Sequence, residues 1–356
     1  SSLGVNIDKA IINVPMYDSE YMVNEGSTTI TNENKVVTGN DMVNALQGSI
    51  YNKIPKSREL VTIQPIKYNV DDEKKDLLNP RGIRADKLYV TSMCMTVPKK
   101  NIYVVISILQ ELNIEVIDIL FGIIGDYYEF KNKEISNGVC GVINIGSDKI
   151  ETAVFKNGIM FNSNTLKNGS NSIDKDISYI YNISNNQAKR IKETFALAHK
   201  EFASTSDIYE ITNKLGIKTK INQYEISEIV NSRLKEMLEN AKKSLNDLTK
   251  KEISYIIVSG GIVNMPGFEI LCKEVIGENV IIKSINTIGA RDNSYSEAIG
   301  MIRYFIDKLS IRGKDYTMFD DDKYFDLVEN KRNNINNGNT SVFGKLFGYL
   351  FDNKED

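Results

Sequence analysis

Apolar positions recur at two different spacings along this chain, and the switches between them mark its parts. "KAIINVP" (Lys9 to Pro15) is a short apolar run closed by proline, the pattern of a buried strand. Between Tyr17 and Met95, "RELVTIQPIKYNVDD" and "KLYVTSMCM" alternate as strands around the helix-like "TGNDMVNALQGSIY", for which Thr38 is the expected cap. This stretch reads as a small α+β module. From Lys99 to Ile114 the period lengthens, and a helix over those residues places Ile102, Val105, Ile106, Leu109 and Leu112 on one face, ahead of the strand "EVIDILF". Helix followed by strand marks a return to α/β architecture.

The second half repeats that alternation. "GVCGVINIG" predicts a strand entering a glycine turn, and "KIETAVFKNGIMF" a hairpin closed by Lys-Asn-Gly. From Gln187 to Lys250 helices are expected to dominate: Ile226, Ile229, Val230, Leu234, Met237, Leu238, Ala241 and Leu245 recur at three and four. "SYIIVSGGIVNMPGFEIL" reads as a buried strand, a double glycine and a helix opening near Pro266. Arg312 to Thr340 is polar and without period, the composition of a flexible tether. At its end, "SVFGKLFGYLF" spreads Val342, Phe343, Leu346, Phe347, Tyr349, Leu350 and Phe351 over a wide arc, leaving Gly344, Lys345 and Gly348 opposite. That arc predicts an interfacial helix over 341–352, a reversible anchor gaining roughly 1.5–3 kcal/mol for each buried apolar side chain before ordering costs. Such weak anchors act best in many linked copies, so self-assembly is expected with it.

Composition narrows the functions open to such a chain. Its 356 residues exceed the usual size of one core and predict two or more domains. A formal net charge of -3 gives no global attraction for nucleic acid, and none is expected as a partner. Cys94, Cys140 and Cys272 lie far apart, which argues against a disulfide framework or a zinc site and for buried, reduced thiols. His199 is the single histidine, in a helical-looking stretch, so multi-histidine metal sites are excluded and no metal ligand set is expected. No apolar run is long enough to span a bilayer, and the start "SSLGVNIDKAI" reads as a fragment beginning inside a domain.

Two strand-to-glycine turns, at Gly146 and at "VSGG" (Val258 to Gly261), flank a helical insertion and suggest an actin-like, sugar-kinase-like nucleotide cleft. At this point the chain resembles FtsA, the bacterial actin-like cell-division family. The signals run in family order: "NVP" at Asn13, "IQPIKYNVD" at Ile63, "NPRG" at Asn79, "GVCGVINIG", "GSNSIDKDI" at Gly169, "QAKRIK" at Gln187, "YIIVSGGIVNMPG" and "YSEAIGMIRY" at Tyr295. The resemblance implies an α/β, actin-like (sugar-kinase, actin and chaperone ATPase) fold with a small inserted α+β subdomain and a C-terminal amphipathic helix. Its parts would be subdomain 1A at 1–17 and 97–137, the inserted 1C at 18–96, 2A at 138–177 and 251–311, 2B at 178–250, a linker at 312–340 and the membrane helix. The family's first phosphate loop would lie upstream of residue 1.

The resemblance also implies site residues. Gly146, Ser147, Asp148, Lys149, Gly169, Lys189, Lys192, Gly260 and Gly261 fall at nucleotide-binding positions. Asn144 stands where the family has an aspartate that helps hold hydrated magnesium and orient the attacking water. A neutral amide supplies less field for either task, so efficient hydrolysis is not expected. Ser147 and Asp148 replace glycines beside the phosphates, and Lys189 replaces a glutamate that accepts from the ribose. ATP and magnesium are the implied cofactors, weakened or lost, and two readings stay open: weak nucleotide binding or a structural relic. Arg233 falls near the groove that receives the C-terminal peptide of FtsZ, and would pair with its carboxylates. The expected function is a tether that assembles into filaments and anchors the FtsZ ring to the inner face of the cell membrane at the septum, through Val342, Phe343, Leu346, Phe347, Leu350 and Phe351. The alternatives are an ATP-hydrolysing switch of the same fold and an actin-like pilus-assembly component.

Overall fold

A computed structural model describes residues 7–71, 75–311 and 313. The linker and amphipathic helix expected beyond Arg312 lie outside the described residues. The chain forms two compact units, one from the residues up to Gly122 together with those from Met301 onward, the other from Ile123 to Gly300.

The first unit opens on β1 (Lys9–Asn13), which pairs in parallel with β5 (Glu115–Leu120). Between them lies the α+β module: β2 (Glu20–Thr29), α1 (Gly39–Ile50), β3 (Arg58–Val70) and β4 (Lys87–Pro98), with the antiparallel order β2-β4-β3. Strand β2 carries no apolar alternation strong enough to announce it, and its long antiparallel pairing to β4 defines it. Thr38 caps α1 in a full capping box, its side chain accepting from the Asp41 N–H while Asp41 Oδ2 accepts from the Thr38 N–H at 2.8 Å. Pro65 sits on β3, an edge strand, where the pairing register shifts and a missing N–H is tolerated.

Helix α2 (Lys99–Glu111) is shorter than its sequence pattern suggests. Ile102 and Ile106 are buried and Val105 and Leu109 half-buried, but Leu112 is 63% exposed at the C-cap, where the chain has already turned toward β5. Residues 301–310 are helical and lay Phe305 and Leu309 against Ile11 and Ile117.

The second unit holds α3 (Gly122–Phe130), α4 (Lys133–Ser136) and a five-stranded sheet ordered β12-β11-β6-β7-β8. Its strands are β6 (Val139–Ile145), β7 (Lys149–Lys156), β8 (Ile159–Lys167), β11 (Tyr255–Ser259) and β12 (Val280–Ile281). The hairpin β7–β8 turns through Asn157 and Gly158, both at positive φ. That turn closes the opposite end of β7 from Ser147 and Asp148. Helices α5 (Asn171–Tyr181), α6 (Asn185–Thr194), α7 (Gln223–Leu248) and α8 (Phe268–Ile276) complete the unit, with the first residues of α9 (Ser296–Ser310).

Seven of the eight apolar positions read on α7 are buried and Ile229 is half-buried. Asn222 opens that helix in a capping box with Glu225. The region from Gln187 to Lys250 is not wholly helical, however. A hairpin, β9 (Ile208–Thr212) and β10 (Lys218–Asn222), interrupts it, turning at Asn213 and Gly216. His199 lies in extended backbone before a single 3₁₀ turn rather than in a helix, and its Nε2 meets Glu274 at 2.9 Å. The three cysteines are buried and free, and burial pushes each thiol up to about 12.

Candidate functional site

Strands β6 and β11 are parallel neighbours, paired from Cys140 with Tyr255 to Asn144 with Ser259. Both therefore end at one edge of the sheet, and both run into glycine, Gly146 after β6 and Gly260–Gly261 after β11. The carboxyl ends of parallel strands are where open α/β sheets receive ligands. Gly260 sits at φ +100°, and a Cβ there would lie 2.3 Å from the Ile145 carbonyl oxygen, so the two turns meet backbone to backbone. Gly169 closes on them from a third side: its Cβ would lie 2.5 Å from the Gly146 oxygen and 2.6 Å from the Lys149 nitrogen.

Hydrogen bonds fasten this turn to the start of α5. The Ser170 N–H donates to the Gly146 carbonyl at 2.9 Å and the Asn171 N–H to the Ser147 carbonyl at 2.8 Å. Asn171 Nδ2 donates to Asp148 Oδ1 at 2.9 Å, which turns that carboxylate toward the helix. Gly146 N–H is taken by the Lys149 carbonyl. The amides of Ser147 and Asp148 make no hydrogen bond among the described residues, and they stand side by side in an exposed turn. Adjacent free amides of this kind make an anion-binding concavity.

Behind the turn lies a polar cluster that sequence reasoning missed. Asp126 of α3 has no exposed surface, accepts from Ser296 Oγ at 2.6 Å on Oδ1 and from Asn144 Nδ2 at 2.5 Å on Oδ2. Burial pushes its carboxyl up to about 6, against the pull of hydrogen bonds from Ser296, Asn144 and Ser259, with buried Glu151 adding to the rise. The available signal was a carboxylate following the apolar run "LFGIIG" directly, a position that only a bonded acid would hold.

The remaining expected site residues separate. Gly146, Ser147, Asp148, Gly169 and Gly260 come together at the sheet edge, and Gly261 sits beside Ser294. Lys149 turns to Glu151. Lys189 is exposed on α6 and lies 3.9 Å from Glu193. Lys192 is placed in the core: its ammonium meets the Asp174 carboxylate at 2.8 Å, and both side chains are buried. Arg233 grips both oxygens of Asp176, at 2.6 and 3.0 Å, and reaches Glu236 at 2.6 Å. It borders a groove of about 320 Å³ that Ile150, Leu166, Met237, Asn240 and Ser244 also line.

These residues fit one part of a magnesium nucleotide better than the other. The glycine-walled turn with its two free amides suits phosphate oxygens. For the metal, no group of three His, Cys, Asp or Glu side chains that could hold an ion exists among the described residues. At the end of β6 the side chain is the neutral amide of Asn144, and the nearest turn carboxylate, Asp148, is engaged by Asn171. Among the described residues no helix is long and apolar enough to cross a membrane.

Comparison with known proteins agrees with this geometry. The PilM-PilN type IV pilus biogenesis complex superposes with a TM-score of 0.51 at 11% identity, covering 83% of this chain and 79% of that one. MreB 5 of Spiroplasma citri bound to AMPPNP gives 0.50 at 17% identity, over 61% of this chain and 68% of that one. Both likenesses speak for the fold alone, which is actin-like with an inserted subdomain.

Sequence goes further. The FtsA of Bacillus subtilis (strain 168) is 25% identical over 315 residues, 88% of this chain and 71% of that protein. The FtsA of Enterococcus hirae is 22% identical over 304 residues, 85% and 68% of the two chains. The model of the cell division protein FtsA matches residues 141–300, and that of the SHS2 domain inserted in FTSA matches residues 19–96. With both models matched in their proper order, over well more than half of its length, the chain belongs to the FtsA family of actin-like cell-division proteins.

Proposed function

We propose that this chain is a membrane-tethered adaptor of the division ring whose cleft binds a nucleotide without turning it over efficiently. The observation that carries the nucleotide part is the pair of glycine turns closing adjacent parallel strands, with the Ser147 and Asp148 amides free beside them. Asn144 counts against a hydrolysing switch, the second reading, because a neutral amide stands at the position where the resemblance implies an aspartate. The likeness to the pilus complex reaches only the fold, and the two family models favour division.

The test is a titration of the full-length polypeptide with magnesium-ATP while phosphate release is followed in parallel. Saturable binding with little release supports the reading. Release at the rate of an efficient ATPase sinks it in favour of the switch, and absence of binding makes the cleft a relic.

The tethering part rests on the apolar arc from Val342 to Phe351. Sedimentation with liposomes is expected to fall at least about tenfold when the chain ends at Thr340, since several buried apolar side chains are lost. Equal sedimentation of the two chains would refute the tether. Residence at the cytoplasmic face of the septal membrane, assembly into filaments and capture of an FtsZ C-terminal peptide belong to the same proposal. At the peptide site, carboxylates must compete with Asp176 and Glu236 for Arg233.

A further inference from the structure

The contact between Asp126 and Asn144 gives the sheet edge a property that neither residue has alone. Both oxygens of Asp126 are occupied by donors, Ser296 Oγ and Asn144 Nδ2, which is the arrangement an ionised, acceptor-only carboxylate satisfies. That carboxylate sets the amide: Asn144 must turn its NH₂ inward, which leaves Oδ1 for the opposite side. Asp126 is wholly buried and Asn144 half-buried, so the inward partner carries the charge and the outward partner is neutral. Asn144 is the penultimate residue of β6, two positions before Gly146, and lies opposite Ser259 at the end of β11.

We propose that Asp126 and Asn144 work as one unit, in which Asp126 is a positioning residue that aims Asn144 Oδ1 at the ligand edge. The carboxylate has been withdrawn by one hydrogen bond from the place where a cation-holding acid would stand, and a carbonyl oxygen has been left there. The inference rests on the nucleotide reading above and deepens it. A site of this kind takes a phosphate chain whose cation keeps its water shell, because the strand end offers an oxygen that accepts from water but brings no formal charge.

A consequence is that Asn144→Asp is not a simple restoration. It sets two carboxylates against each other at hydrogen-bond distance, where one must hold a proton. Asn144→Asp combined with Asp126→Asn instead exchanges donor and acceptor, keeps the charge count and leaves Ser296 its acceptor.

The experiment is a thermal-melting cycle on the full-length chain without ligand, at neutral pH, for the wild type, N144D, D126N and the exchanged pair. ATP titrations with and without magnesium follow on the same four proteins. N144D is expected to melt lower by about 5 °C or more, and the exchanged pair to recover to within about 2 °C of the wild type. The pair should then bind ATP with a magnesium dependence at least about tenfold steeper than the wild type, its carboxylate now standing outward. An N144D chain that melts like the wild type, or a pair no better than the sum of its singles, overturns the unit. Full thermal recovery with unchanged magnesium dependence overturns the aiming role and leaves a packing contact. If no variant binds ATP under either condition, the nucleotide reading fails and the ligand half of this inference with it, while the melting cycle still decides whether the two side chains act as one.

Discussion

Asp118 in the first unit and Asp126 in the second are both wholly buried, yet they are held in opposite ways. Asp118 faces a full positive charge, Lys308 Nζ at 2.7 Å, and the two side chains are 2% and 4% exposed. Around them Tyr304 bonds Thr62 at 2.7 Å, in a network inside the first unit. Burial raises the Asp118 carboxyl and Lys308 pulls it back. Among the described residues Asp126 has no cation in contact; hydroxyl and amide dipoles hold it, and burial brings its carboxyl to about 6. In the first case a full charge opposes the effect of burial, in the second only dipoles do, and both carboxyls end above their ordinary range. The first arrangement joins β5 to the helix over 301–310, and the second lies behind the glycine turn that follows β6.

The largest effect should come from breaking the ion pair. Lys308→Met leaves Asp118 buried without its partner, and loss of one member of such a pair costs about 3–5 kcal/mol. Urea denaturation should show the midpoint falling accordingly. Removing both charges, as Asp118→Leu with Lys308→Met, should recover to within about 2 kcal/mol of the wild type, since apolar replacement of a whole buried pair is often neutral. A double variant as unstable as Lys308→Met would mean that the surrounding hydrogen bonds, not the pair, carry the cost.

The next effect tests the dipole-held acid. Unfolded, Asp126 titrates near 3.9; folded, at about 6. Between those values the native chain keeps a proton that the unfolded chain has released. Its contribution to stability is therefore complete at acid pH and is lost as pH rises through about 6, by about 3 kcal/mol in all. Asp126→Asn should remove that slope, read as the difference between wild-type and variant unfolding free energies across the range. Asp118 is raised too, with the same sign, so a residual slope should survive in the variant and fall only when Asp118 is also replaced. A difference that stays flat with pH would place Asp126 in contact with more solvent than its burial implies.

This contrast bears on what could be read without coordinates. The period-three-to-four pattern of α7 and the capped helix of the inserted module were legible because burial there is a property of the element's own residues. The two glycine turns were legible as turns and suggested a shared cleft; the parallel pairing of β6 with β11 that brings them to one sheet edge is a long-range fact of the fold. The partner of Asn144 was not legible: Asp126 lies 18 residues away on another element, and no local spacing connects them. The partner of Lys192 was hidden in the same way. Its neighbours in "QAKRIK" look like a ligand-facing helix turn, but Asp174, on the preceding helix, draws its ammonium into the core. The β9–β10 hairpin was hidden because "IYEITNKLGIKTKIN" is short, charged and half exposed, so alternation there is faint against two helical neighbours.

A third carboxylate pair gives the smallest expected effect and the sharpest separation of structure from recognition. Arg233 holds Asp176 with two bonds, but each side chain is 29% exposed, and Glu236 joins from solvent. Surface pairs are screened, so Arg233→Ala should cost no more than about 1 kcal/mol, well below either buried aspartate. If the same arginine receives a peptide carboxylate, its removal should weaken binding of an acidic FtsZ C-terminal peptide by about tenfold or more, as loss of a charge-assisted bidentate contact does. Asp176→Asn then discriminates. Freed from its two-bonded competitor, Arg233 should bind the peptide more tightly than in the wild type, at little cost in stability. Equal affinity in the wild type and both variants would leave Arg233 as a strut between α5 and α7, and would move the search for the peptide site elsewhere on the second unit.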